Sequence, residues 1–96
     1  MDLKPDETDL IGAWTVANGH ADGDSIEKRI ISLIANYLQK VAVSAESDGW
    51  DVLYRDPADG RFWELTYPQG HMHGGGPKRL TALSPSSAKS KYRLDL

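Results

Sequence analysis

Apolar residues between Asp24 and Gln39 recur at helical spacing. Ile26, Ile30, Leu33, Ile34, Tyr37 and Leu38 draw one stripe, and Lys28, Arg29, Ser32, Asn36 and Gln39 fall largely off it. Asp24 suits the N-cap, and Glu27, three residues on, is placed to reach back to it. The stripe predicts an amphipathic helix whose apolar side is core. From Val41 the period changes to two, with Val41, Val43 and Ala45 on one side and Ala42, Ser44 and Glu46 on the other. Asp48-Gly49 predicts a two-residue hairpin turn pairing Ser47 with Trp50, Ala45 with Val52 and Val43 with Tyr54. A second turn spans Asp56 to Arg61, with Pro57 at its second position and Gly60 suited to left-handed backbone. Pairing Asp56 with Arg61 sets Tyr54 opposite Trp63, Val52 opposite Leu65 and Trp50 opposite Tyr67.

Both registers place Val41, Val43, Ala45, Trp50, Val52, Tyr54, Trp63, Leu65 and Tyr67 on one face, which a one-residue slip would scatter. That face is expected to pack on the helix stripe. The opposite face carries Ser44, Glu46, Asp51, Leu53, Arg55, Phe62, Glu64 and Thr66. Its two apolar residues, Leu53 and Phe62, are either covered by another segment or exposed. Ile11 to Ala17, bounded by Asn18-Gly19, predicts a short strand, and so does Lys78 to Leu83. Ser84-Pro85 is a cap followed by proline at the first helical position, so a short helix over Pro85 to Tyr92 follows. The fold expected is α+β: one amphipathic helix packed on an antiparallel sheet of four to five strands, with a short C-terminal helix. Residues 1–10 read as an acidic flexible N-terminus, and 11–96 as a single domain.

The chain has 96 residues, no cysteine and a net charge of −3. Disulfides and thiolate metal sites are therefore excluded. There is no run of about 18 apolar residues, and the acidic N-terminus lacks the apolar segment of a signal peptide, so a cytoplasmic protein without a membrane span is expected. Charge is uneven: residues 1–27 carry −6, residues 28–75 carry −1 and residues 76–96 carry +4. The chain has no global basic footprint, which argues against direct nucleic-acid binding.

Candidate chemistry is sparse. His20, His71 and His73 are possible imidazole ligands, but an H-x-H spacing without cysteine specifies little. Gly74-Gly75-Gly76 is followed by Pro77-Lys78-Arg79, which matches neither phosphate-loop fingerprint. A small metal- or anion-binding enzyme or sensor using this His/Gly loop is the alternative reading. The serines at 84, 86, 87 and 90 belong to a helix cap and helix, not to a nucleophile elbow. No catalytic residue, metal site or cofactor is expected. Asp56 with Arg61, and Arg55 with Glu64, read as surface ion pairs.

The string from Gly49 to Pro77, GWDVLYRDPADGRFWELTYPQGHMHGGGP, resembles the signature of the immunity protein 27 family of bacterial polymorphic-toxin and contact-dependent growth inhibition systems. IGAW, RIISLIANYL, VAVS and RLTALS extend the likeness from about Ile11 to Tyr92. Where such sequences often continue GGGPP, Lys78 stands here. The resemblance implies a cytoplasmic antidote, not an enzyme, that binds the C-terminal domain of a cognate toxin, commonly a nuclease, and occludes its active site. Nuclease toxins tend to be basic, and an acidic antidote gains association rate by steering. The expected contact residues are Glu46, Asp48, Asp51, Asp56, Asp59 and Glu64, with Leu53 and Phe62 as apolar anchors and Arg55 among them. His71, His73 and Lys78 form a competing patch. A monomer or weak dimer is expected.

Overall fold

The three strands of the two hairpins read from the sequence form one side of a five-stranded antiparallel sheet and end at its edge. A computed structural model describes residues 3–17, 20–44, 50–68 and 76–94. In chain order its elements are β1 (Asp9–Ile11), β2 (Trp14–Ala17), β3 (His20–Gly23), α1 (Ser25–Asn36), β4 (Gln39–Val43), β5 (Val52–Arg55), β6 (Phe62–Thr66), β7 (Arg79–Leu83) and α2 (Pro85–Tyr92). The sheet runs β1-β7-β6-β5-β4, and β2 and β3 form a separate two-stranded hairpin. The fold is α+β, with α1 on one face of the sheet and α2 on the other.

α1 starts where expected: the Asp24 side chain accepts the backbone N–H of Glu27 at 2.8 Å. Its inward side is Glu27, Ile30 and Leu33, continued by Leu38. Ile26, expected in the stripe, is exposed, because the buried stripe begins one residue later. The main core gathers Ile30, Leu33 and Leu38 with Tyr54, Trp63, Leu65 and Leu80. Trp63 is fully buried at its centre, and burying a large aromatic contributes roughly 2–3 kcal/mol.

The β5–β6 register is as read: Val52 faces Leu65 and Tyr54 faces Trp63. Asp56 donates its backbone N–H to the Arg61 carbonyl at 2.9 Å, and Gly60 takes the left-handed conformation at φ 79°. The β4–β5 register differs. Val43 pairs with Val52, not Tyr54, and Ser44 donates to Asp51 at 2.9 Å. The ladder is thus shifted by two residues from the one a two-residue Asp48-Gly49 turn requires, and those two residues lie outside the described ones. A two-residue shift preserves facing, but an irregularity between Lys40 and Ala42 then turns the edge strand. Val41 and Val43, expected beneath α1, lie on the edge strand and are exposed at 40 and 45%, and Trp50, ahead of β5, is exposed at 53%.

Two segments were read differently from sequence. Ile11–Ala17 is not one strand; Gly12 and Ala13 separate β1 from β2. Residues 3–10, expected as a loose acidic tail, lie against the domain. Leu3 and Leu10 are in the core and β1 pairs with β7. Arg61 donates to the carbonyls of Glu7 at 2.7 Å and Lys4 at 3.0 Å, and Arg29 forks onto the Glu7 carboxylate. This arginine–carboxylate fork holds Glu7 down at about 2. Arg79 holds Asp9 below the usual carboxylate range in the same way.

Candidate functional site

The residues expected at the interface separate into four groups. Glu46, Asp48, His71 and His73 lie outside the described residues. Leu53, Asp56 and Glu64 are buried. Asp51, Asp59 and Lys78 are engaged in ion pairs. Arg55 and Phe62 remain together at the surface, beside the open edge of the sheet.

Burial of the second group has a clear cause. α2 covers the sheet face that was expected to carry the partner contacts. Leu53 is fully buried and forms a small second core with Ala88 and Tyr92, and Phe62 and Leu83 pack at its margin. Glu64 accepts the Tyr92 hydroxyl at 2.8 Å and pairs with Lys91, which also reaches Asp51 at 2.8 Å. Burial and the Glu64 carboxylate push the Tyr92 hydroxyl well above its ordinary value. Burial alone would lower the Lys91 ammonium, but its two carboxylate partners raise it. Asp51 and Glu64 therefore clamp the C-terminal helix to the sheet.

Asp56 and Arg61 do not form the side-chain pair expected of them. The Asp56 carboxylate turns inward, accepting the Tyr37 hydroxyl at 2.7 Å and the Ala58 N–H at 2.8 Å. This aspartate turn ties α1 to the β5–β6 connection. Arg61 pairs with Asp59 instead, and Glu64 pairs with Lys91 in place of Arg55.

A second centre was hidden in the sequence. Glu27 is only 2% exposed. Its carboxylate accepts the Lys78 backbone N–H at 2.8 Å and the Trp14 indole N–H at 3.2 Å, and Lys78 Nζ stands 3.6 Å away. A Cβ on Gly12 would lie 2.6 Å from Glu27 Oε1, and one on Gly23 would lie 2.6 Å from its Cγ. Both positions therefore need glycine for close approach. Glu27 does not return to Asp24 as a capping box; it joins α1, β2 and the start of β7. Its position three residues before Ile30 and seven before Ile34 was the available signal. Lys78 Nζ lies 5.6 Å from the Tyr67 ring centroid, and Trp50 meets Tyr67 edge to face at 5.1 Å. Burial raises the Tyr67 hydroxyl, and the Glu27 charge adds to it.

The exposed remainder is an open groove of about 440 Å³ lined by Val41, Arg55, Gly60 and Phe62. Val41 and Gly60 were not expected there; Val41 enters because the edge strand turns at its irregularity. Among the described residues no three His, Cys, Asp or Glu side chains are grouped to hold a metal ion, and no helix is long and apolar enough to cross a membrane. What this surface offers is apolar area, an arginine and a strand edge unpaired among the described residues, the means of recognition.

Comparison with known families matches residues 16–84 to the immunity protein 27 family. The matched span runs from within β2 to the cap of α2, so β1 and α2 lie outside it. No curated protein and no solved structure matches the chain.

Proposed function

Because the chain belongs to the immunity protein 27 family, we propose that it protects its producer by binding the C-terminal domain of a cognate toxin, a nuclease, and occluding the toxin's active site without altering it chemically. The family match over residues 16–84 carries this reading. The groove and open edge beside Arg55 and Phe62 support it, since they offer contact area to a macromolecule. The cell interior is the place of action, where a delivered nuclease would meet its target. The antidote acts as a monomer or weak dimer.

The test is co-purification with the toxin domain encoded beside it, together with survival of cells expressing both. The tagged antidote should retain the toxin domain through a salt wash and restore growth. A toxin that elutes alone and kills despite abundant antidote would overturn the proposal.

A further inference from the structure

We propose that the β4 edge and its groove form the toxin-docking site, and that the toxin presents there an extended apolar segment carrying a carboxylate. This deepens the proposed function and rests on it. Among the described residues β4 is the last strand of the sheet, with β5 as its only neighbour. Ser44 donates to Asp51, and hydrogen bonding alternates along an antiparallel pair. The N–H and C=O of Val43 therefore point to the open edge. Val41 and Val43 bring exposed apolar area to this same edge. An extended chain lying along β4 gains main-chain hydrogen bonds at Val43 and lodges a side chain in the groove, as strand addition does elsewhere.

Charge selects the occupant. Lys40 and Arg55 are exposed, and neither β4 nor the groove lining carries an acid. Arg55 lies over Gly60, 3.3 Å from where a Cβ would stand, and makes no hydrogen bond or ion pair among the described residues. An unpaired guanidinium against apolar walls suits a carboxylate, which it can fork. The edge is thus basic within a chain of net charge −3, so docking does not rely on the acidic surface alone. A second copy of this chain is a poor occupant: self-pairing would bring two basic edges together.

The experiment uses the full chain, the toxin domain encoded beside it and two variants, Arg55→Glu and Val43→Pro. Arg55→Glu reverses the charge of an exposed side chain. Val43→Pro removes an N–H that faces away from β5, a position an edge strand tolerates. Each should raise Kd at least about tenfold, as loss of a central contact does, with the melting temperature of Arg55→Glu unchanged. If Val43→Pro melts lower, Arg55→Glu decides alone. Wild-type affinity in Arg55→Glu, from a wild type that still neutralises, overturns the docking site and leaves the immunity function standing. A wild type that neither binds nor neutralises overturns both. A dimer of the chain alone, abolished by Val43→Pro in sedimentation, would assign the edge to self-association and overturn the inference.

Discussion

The Glu27 carboxylate and the Lys78 backbone N–H meet at 2.8 Å across 51 positions of chain. This contact fixes where β7 begins, and the Trp14 indole shares the same carboxylate. Glu27→Ala orphans both donors in a buried place. At roughly 1–3 kcal/mol per unsatisfied group, the loss should be about 2–6 kcal/mol in urea unfolding. Gly23→Ala should cost about 1–3 kcal/mol by overpacking the same site. A wild-type midpoint in either variant would show that Glu27 is not the joint described.

Acid should weaken the N-terminal strap first. Glu7 is lowered from 4.5 to about 2 by the Arg29 fork, with Lys4 adding to it. A group with a depressed folded value stabilises above its unfolded value, and that stability is lost as pH falls through the folded one. The window is therefore pH 4.5 down to about 2. Glu7→Gln should flatten the stability profile there while hydrogen exchange of residues 3–11 rises. Unchanged exchange would show that the fork does not hold the strap.

The clamp on α2 predicts the opposite limb. The Tyr92 hydroxyl is raised above 10 by burial and by its bond to Glu64. A raised group stabilises below its unfolded value and loses that contribution as pH rises. Tyr92→Phe should lower stability at neutral pH by about 1.5–3 kcal/mol, the range for a bond to a charged partner. It should also lessen the alkaline loss above pH 10. Tyr54 and Tyr67, also raised chiefly by burial, keep part of that loss in place.

Two substitutions separate fold from interface. Trp63→Ala should unfold the domain or nearly so, because truncating a core aromatic costs about 3–5 kcal/mol. Glu64→Lys, which looks like a surface charge reversal in the sequence, should also destabilise, since it sets a cation beside Lys91 and strands the Tyr92 hydroxyl. A Glu64→Lys protein with wild-type stability would contradict the buried clamp.

Local signals made much of this fold legible. Helical spacing and the Asp24 cap located α1, Ser84-Pro85 located α2, and Pro57 with Gly60 set the β5–β6 register. Each depends on residues close in sequence. The failures were non-local. Nothing near Leu3 or Leu10 announces that Arg61 and Arg29 will hold their segment to the domain. The β4–β5 shift follows from a connection longer than Asp48-Gly49 suggested. Leu53 and Glu64 were read as partner contacts because α2 was recognised but not placed over them. Of the expected contact residues, Arg55 and Phe62 share the groove, because alternation alone puts opposed residues of β5 and β6 on one side.

Titration of the purified chain into an activity assay of the toxin domain encoded beside it tests the central claim most directly. Stoichiometric occlusion predicts a linear fall in toxin activity that reaches zero near one equivalent, with the toxin recovered chemically intact on dissociation. Full activity at a severalfold molar excess, or a toxin left covalently altered, would contradict it.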